Sequence, residues 1–128
     1  MRVLVDAHAV LWAAVDDERL PGSVRELLAD TKTRLVLSVA TIWELTLKSM
    51  ADRLRLPEPP EQYFEGLIRD FGYEVLPIHQ RHVLALPELP TVHGDPFDRI
   101  LVAQAVVEEI AVVTGDPHLR EYPIHTLW

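Results

Sequence analysis

Five acidic side chains stand beside predicted strands and helices, where carboxylates can do chemistry. Asp6 directly follows the apolar run 3–5, and Asp116 follows the apolar run 111–113 with only two residues between. Because parallel strands in an α/β protein end at a common edge, where ligands bind, both side chains are expected in one crevice. Three further acids lie in the first two turns of predicted helices and are candidates for the same crevice: Glu44, Asp95 and Asp98.

A carboxylate cluster without thiolates suits a hard divalent cation. The chain has no cysteine, so oxygen ligands favour Mg²⁺ or Mn²⁺. Two carboxylates about 4 Å apart repel by roughly 4 kcal/mol at an effective dielectric constant near 20, and a bound cation relieves that repulsion. Such an ion polarises a phosphodiester and activates water. The residues therefore indicate hydrolysis of a phosphate ester.

Each acid also has a purely structural interpretation. Asp95 and Asp116 each precede a proline, which is typical of a helix N-cap followed by proline at the first helical position. Asp98 would favour the dipole of the same helix. Glu44 forms an i,i+4 pair with Lys48. Asp6 fits this interpretation least, because it interrupts an apolar run, where an unpaired carboxylate is costly.

The elements that position these acids alternate between strands and helices. Short apolar runs predict buried strands at residues 3–5, 35–37, 74–76 and 111–113. Helical patterns follow a Ser23/Glu26 capping box, Ser38 and Pro60, and a further helix is predicted over residues 96–109. We therefore expect an α/β fold: a three-layer sandwich with a central, mainly parallel sheet flanked by helices, forming a single domain over residues 1–128.

Composition narrows the class of protein. With 48% hydrophobic and 25% charged residues, the chain is typical of an ordered globular domain, and disorder and a disulfide scaffold are excluded. The longest apolar stretches contain polar residues and are too short to cross a membrane. The amino terminus lacks the pattern of a signal peptide. We expect a cytoplasmic protein.

Four segments closely resemble, in order and spacing, the PIN-domain toxins of the VapC type. They are Val3-Leu4-Val5-Asp6-Ala7-His8, Ala40-Thr41-Ile42-Trp43-Glu44-Leu45, His93-Gly94-Asp95-Pro96-Phe97-Asp98-Arg99-Ile100-Leu101-Val102-Ala103-Gln104-Ala105 and Val112-Val113-Thr114-Gly115-Asp116-Pro117. The resemblance covers essentially the whole chain, and its specific part is Asp-Pro-Phe-Asp-Arg followed by Ala-Gln-Ala. It implies a PIN-like fold and a Mg²⁺- or Mn²⁺-dependent endoribonuclease. It also implies a toxin that is commonly a homodimer and is neutralised by a small antitoxin.

The resemblance assigns the acidic site to four positions, namely Asp6, Glu44, Asp98 and Asp116. Asp6 and Asp98 are expected to bind the metal directly. Glu44 and Asp116 would complete the pocket, and Asp95 is an additional candidate acid. Water activated by the metal would then attack the RNA phosphodiester in line and leave 5′-phosphate and 3′-hydroxyl ends.

The charge balance is unusual for a protein that binds RNA. Twenty acids against 12 Lys and Arg residues give a net charge of −8, the opposite of the usual basic footprint. The metal would offset part of this charge. The densest basic cluster is Lys48, Arg53 and Arg55, and Arg99 lies near a predicted helix start. These four cations are candidate phosphate contacts, and the structural alternative is a solvated helix end whose cations favour the dipole.

Two other functions are consistent with parts of the pattern. A PIN-like module could bind RNA or a partner without cutting, since Ala7 replaces the Thr or Ser that often follows the first acid in the family. A receiver-like phospho-acceptor domain would need paired acids after the first strand and a lysine near the last, and this chain has neither.

Histidine and tryptophan residues are expected to be structural. His79 and His82 lack a third metal ligand nearby and are predicted to lie on a helix surface. The three tryptophans, Trp12, Trp43 and Trp128, are expected in the core or an interface rather than as stacking platforms for bases.

Overall fold

The computed structural model describes all residues, 1–128, as five strands and seven helices. The strands are β1 (Arg2–Val5), β2 (Arg34–Ser38), β3 (Glu74–Leu76), β4 (Ala111–Val113) and β5 (Thr126–Leu127). The helices are α1 (Ala7–Ala14), α2 (Gly22–Ala29), α3 (Val39–Met50), α4 (Pro60–Phe71), α5 (Gln80–Ala85), α6 (Pro96–Glu108) and α7 (Pro117–Arg120), with a 3₁₀ turn at Leu86–Glu88.

All five strands are parallel, in the order β3-β2-β1-β4-β5. In the register of the sheet, Leu4 of the central strand lies opposite Val36 on one side and Val112 on the other. Val3 and Val5 pack on one face with α1, α2 and α4, whereas Leu4 packs on the other face with α6 and α7. Burial of both faces explains the continuous apolar runs. The predicted α/β sandwich is confirmed, and the sheet is wholly parallel.

Three local features differ from the prediction. Helix α2 begins at Gly22, with Pro21 at the N-cap and no side-chain cap, so the predicted capping box at Ser23 is wrong: Ser23 already lies inside the first turn. Strand β5 was not predicted, because its two residues are too few to show a pattern. Helix α1 also escaped prediction, because its apolar residues run on from those of β1 without a break.

His82 is fully buried, so its predicted place on a helix surface is wrong. Its Nδ1 accepts a hydrogen bond from the backbone N–H of His79 at 2.9 Å, and its Nε2 lies 3.0 Å from Oε2 of Glu108. The i,i+3 spacing of the two histidines is that of a capping box at the start of α5. His82 therefore joins α5 to α6.

None of the seven helices has both the length and the apolar character needed to traverse a bilayer.

Gln104 is a fully buried polar residue of α6 that connects several elements. Its side-chain oxygen accepts a hydrogen bond from the Ser38 hydroxyl at the end of β2, and its amide nitrogen donates to the Pro77 carbonyl at 3.2 Å. The Ser38 hydroxyl also caps α3 by accepting from the N–H of Ala40 at 3.0 Å. These bonds fix α3 and α6 relative to each other and to the sheet.

We expect Gln104→Leu to destabilise the fold by about 1–3 kcal/mol, because the buried Ser38 hydroxyl loses its acceptor. Urea unfolding measures the change. The matched control is Gln62→Leu on the exposed face of α4, which should stay within about 0.5 kcal/mol of the wild type. Equal stabilities for the two variants would contradict the role given to Gln104.

Candidate active site

Asp6 lies at the point where β1 ends and α1 begins. Its N–H continues the sheet by donating to the Val113 carbonyl at 3.1 Å, and its Oδ1 caps α1 by accepting from the N–H of Ala9 at 2.9 Å. The side chain is buried, and this burial raises its pKa despite the opposing effects of Thr114, Ala9 and His8. The Thr114 hydroxyl approaches Asp6 from the end of β4, so a hydroxyl that Ala7 cannot provide comes from the neighbouring strand.

Asp98 lies in the first turn of α6, but it does not act as a simple cap. Asp95 is the N-cap, and its Oδ1 accepts from the N–H groups of Phe97 at 2.9 Å and Asp98 at 3.1 Å. The Asp98 carboxylate instead accepts from Nε2 of His93 at 3.0 Å. Its partial burial raises its pKa, although the hydrogen bond from His93 opposes that shift.

The five predicted acids are close enough to influence one another. The charge of Asp98 raises the pKa of Asp6, and the charges of Asp95, Asp116 and Glu44 raise the pKa of Asp98. All five are therefore brought to the carboxyl-terminal edge of the sheet. No group of three acidic or histidine side chains is arranged to hold a metal ion by itself.

The structural interpretations of Glu44 and Asp116 are also correct. Oδ1 of Asp116 accepts from the N–H of His118 at 2.9 Å and caps α7. Oε2 of Glu44 lies 2.9 Å from Nζ of Lys48, but only 14% of the Glu44 side chain is exposed, so this is not a freely solvated face. A carboxylate has two oxygens, and a cap occupies one of them. Capping and membership of an acidic pocket are therefore compatible.

A hydrogen-bonded chain leads from Arg99 to Asp98 through Tyr122 and His93, neither of which was among the predicted site residues. Arg99 Nη1 lies 3.1 Å from the Tyr122 hydroxyl, which lies 2.9 Å from Nδ1 of His93. Because a guanidinium only donates and a carboxylate only accepts, the Tyr122 hydroxyl accepts from Arg99 and the Nε2–H of His93 is directed at Asp98. The signal for His93 was its place in the His-Gly-Asp-Pro-Phe-Asp run, whereas nothing in the sequence links it to Tyr122.

The four predicted phosphate contacts differ in their availability. Lys48 is paired with Glu44, and Arg99 uses Nη1 in the chain just described. Arg53 and Arg55 are exposed after the end of α3, and neither forms an ion pair. A role for these cations in binding RNA stays a prediction.

The acidic pair suits a hard cation. Asp6 and Asp98 offer only oxygen ligands, burial raises the pKa of both, and neither is paired with a lysine or an arginine. Because Mg²⁺ typically keeps several waters and binds protein through one or two carboxylates, a set of three protein ligands is not required. The residues present therefore fit a divalent ion.

The chain is similar over nearly its whole length to known proteins. Ribonuclease VapC22 of Mycobacterium tuberculosis (strain ATCC 25618 / H37Rv) is 26% identical over 123 residues, which cover 94% of this chain and 91% of that protein.

Solved structures share the fold. VapBC2 from Rickettsia felis, bound to a DNA fragment from its promoter, matches with a TM-score of 0.74 and 15% identity over 99% of this chain and 98% of that one. DNA-bound VapBC from Salmonella typhimurium matches with a TM-score of 0.73 and 19% identity over 99% and 97%. FitAcB from Neisseria gonorrhoeae matches with a TM-score of 0.66 and 17% identity over 98% of this chain and 96% of that one.

The PIN domain family model matches residues 3–124, a span that includes all five acids and every helix. The chain belongs to the PIN domain family.

Proposed function

We propose that this protein is a divalent-metal-dependent endoribonuclease and the toxin component of a toxin–antitoxin pair. The observation that carries the proposal is that buried Asp6 and partly buried Asp98 lie close enough at the carboxyl-terminal edge of the sheet for their charges to interact, with raised pKa values and no lysine or arginine paired with either. Membership of the PIN domain family supports the proposal, as does the similarity to a protein named a ribonuclease.

In this proposal Asp6 and Asp98 bind Mg²⁺ or Mn²⁺ directly. Glu44 and Asp116 add negative charge and orient water, while Asp95 is committed to capping α6 through Oδ1. When bound, the ion would supply Lewis-acid polarisation of the phosphodiester and make water more acidic. The reaction is hydrolysis: water attacks phosphorus in line, the bond to the 3′ oxygen breaks, and that oxygen takes a proton.

The protein's own part is to hold the two carboxylates in place. The Asp6 carboxylate is fixed by the N–H of Ala9, and the Asp98 carboxylate is fixed by His93. His93 bonds Oδ2 of Asp98, which leaves Oδ1 of Asp98 free of a hydrogen-bond donor from the protein. Preorganised ligands of this kind lower the cost of binding the ion and of stabilising the charge that develops during attack.

The proposed partners are RNA, an antitoxin and a second copy of the chain. The matched VapBC structures share the Vap name with the VapC-type toxins that the chain resembles, which supports the antitoxin. Trp43, Leu47 and Met50 form one exposed apolar face of α3, which supports a homodimer. RNA and an antitoxin belong to the cytoplasm, where we place the protein.

A PIN module that binds RNA without cutting it is the alternative function. The finding that favours it is that no three side chains form a complete metal site.

Asp6→Asn and Asp98→Asn should each abolish Mn²⁺-dependent RNA cleavage while the fold is kept. Asparagine still accepts the hydrogen bonds from Ala9 and His93 but binds a divalent cation weakly. Cleavage of total RNA by the purified variants tests this, with Asp70→Asn on exposed α4 as the control that keeps wild-type rates. Wild-type cleavage by both variants would refute the metal assignment.

The contribution of Asp98 to stability without metal should fall as pH rises. The pKa of Asp98 is raised above its ordinary value of 3.8, so the folded state keeps a proton that the unfolded state has lost. The resulting stabilisation is present at low pH and is lost as pH rises through the folded-state pKa. Melting curves in EDTA should therefore show Asp98→Asn to be more stable than the wild type at neutral pH.

Adding Mn²⁺ should reverse that order. At 100 times its dissociation constant the ion should stabilise the wild type by about 2.7 kcal/mol and have little effect on Asp98→Asn. Asp70→Asn should respond as the wild type does. Identical melting behaviour of wild type and Asp98→Asn, with and without Mn²⁺, would count against a preformed metal site.

Tyr122→Phe should weaken Mn²⁺ binding or slow cleavage by about 10- to 100-fold, although Tyr122 touches neither metal nor RNA. The loss of the hydroxyl breaks the hydrogen-bonded chain that orients His93 on Asp98. Calorimetric titration with Mn²⁺ and the cleavage rate measure the effect. The control is Tyr73→Phe, a similarly buried tyrosine at the opposite edge of the sheet, and equal behaviour of the two variants would contradict a positioning role.

A further inference from the structure

A half-open cavity of about 340 Å³ adjoins the acidic site. Its floor includes Asp6 and Asp116, its walls carry the rings of Trp12, Trp128 and His8, and Arg19 lies at its rim. Cavities of about 300–1,000 Å³ are typical of sites that bind small organic groups. The cavity therefore places aromatic surface and one arginine directly beside the proposed reaction centre.

Trp128 is held in this wall by its contact with Gly115. A Cβ atom at Gly115 would lie only 2.5 Å from Cε2 and 2.7 Å from Nε1 of the indole. The absence of a side chain at Gly115 thus lets the indole lie against the loop that leads from β4 to Asp116. Trp128 is only partly buried there, so ring surface remains open to the cavity.

Trp12 forms the adjoining wall and is flanked by two other rings. Its ring centre lies 5.8 Å from that of Trp128 and 5.6 Å from that of His8. These separations are those of packed aromatic pairs. Together the three rings form a continuous π surface that begins next to Asp6.

Arg19 is a cation that lies over one face of Trp12. Its guanidinium carbon is 4.7 Å from the Trp12 ring centre, so the ring surface left open to a ligand is the part of Trp12 not covered by Arg19, together with Trp128. Its Nε and Nη2 are bonded to the Asp17 carboxylate at 3.0 Å and 2.7 Å, which leaves Nη1 without a protein partner. The Arg19 side chain is 64% exposed, so Nη1 is available to an anion.

We propose that this cavity binds an unpaired nucleobase of the RNA substrate against the indole surface of Trp12 and Trp128 that Arg19 leaves open, and that Arg19 contacts an adjacent phosphate. The inference rests on the proposed ribonuclease function and adds to it a base-binding subsite formed by residues outside the acidic site. Stacking on aromatic rings accepts any base, because every base has a π face. A base inside a duplex is excluded, since both of its faces are covered by its neighbours.

The charges of the cavity agree with this occupant. A phosphate would be repelled by Asp6 and Asp116, whereas Arg19 offers a cation on the side of the rings away from the core. The base therefore lies over the aromatic wall, and the negative backbone is drawn to the rim. A protein of net charge −8 can in this way bind RNA through uncharged stacking with a minimum of phosphate contacts.

Trp12→Leu tests the stacking. We expect its KM for a single-stranded RNA in Mn²⁺ to rise by a factor of about 5 to over 100, with a smaller change in kcat. This factor is the range expected for the loss of one base–aromatic stack. Trp12→Leu should also quench the fluorescence of 2-aminopurine in the same RNA less than the wild type does. This quenching is measured in EDTA, where no cleavage occurs. Trp12→Tyr should restore both signals, because tyrosine also stacks.

Phe71→Leu is the matched control, since Phe71 is an exposed aromatic residue at the end of α4, outside this cavity. Arg19→Gln should reduce the slope of log affinity against log salt by about 0.7, the value for one phosphate contact on a single strand. Its control is Arg34→Gln, because Arg34 is likewise exposed and paired with a single carboxylate, that of Glu74.

The outcomes separate the two proposals. A wild type that quenches 2-aminopurine but cuts no RNA in Mn²⁺ would overturn the proposed function and support the cavity. If the wild type cuts RNA, and Trp12→Leu is folded and has the same KM and quenching as Phe71→Leu, the base-binding role of the cavity is overturned. The proposed ribonuclease function then stands. Equal KM values for single-stranded and fully duplex RNA would also overturn the base-binding role.

Discussion

The structure depends on keeping two acidic groups, Asp6 and Asp98, in a buried position where their charges repel. Two charges about 4 Å apart repel by roughly 4 kcal/mol at an effective dielectric constant near 20, so an isolated pair of this kind would favour opening or protonation. The chain offsets part of this cost with fixed donors, the N–H of Ala9 and Nε2 of His93. Neither donor is a lysine or an arginine, so the pair retains a deficit that a divalent ion would remove.

The central strand and α6 make that arrangement possible. Asp6 follows three residues of β1 that are wholly inaccessible to solvent, and six consecutive residues of α6, from Ile100 to Ala105, are buried. Elements anchored this firmly cannot easily move apart to relieve the repulsion. Ser38 of the neighbouring strand β2 and Gln104 of α6 add a polar connection between the sheet and α6, which fixes the angle at which α6 presents Asp98. Hydrophobic burial thus provides the free energy that holds the acids together.

The sequence was informative where neighbours along the chain decide the outcome. The edge position of Asp6 and the caps formed by Asp95 and Asp116 could be predicted, because each depends on the few residues that follow. The link between His93 and Tyr122 joins residues 29 apart and depends on how the segment after α7 folds back, which no periodicity records.

The surroundings of the tryptophans also depend on contacts between distant parts of the chain, which sequence patterns do not record. Trp43 was expected in the core or an interface; it is 54% exposed on the apolar face of α3 that is proposed as a dimer interface, and it packs edge-on against Phe97. Trp12 and Trp128 lie far apart in the chain, and they meet because β5 pairs with β4 and carries Trp128 back over Gly115. A strand of two residues leaves too little pattern for this meeting to be predicted.

The acids at the two edges of the sheet lie in opposite electrostatic environments, and this contrast distinguishes acids with a structural role from acids with a functional one. At the amino-terminal edge, Glu74 bonds Arg2 and Arg34, and the hydrogen bond from Arg2 lowers the pKa of Glu74. At the carboxyl-terminal edge, burial raises the pKa of Asp6 and of Asp98. An acid kept for stability gains by being paired with a cation, whereas an acid kept for binding a ligand must stay unpaired until the ligand arrives. Glu74 is paired with two arginines, whereas neither Asp6 nor Asp98 is paired with a lysine or an arginine, and this contrast marks the carboxyl-terminal edge as the site where a positively charged ligand completes the structure.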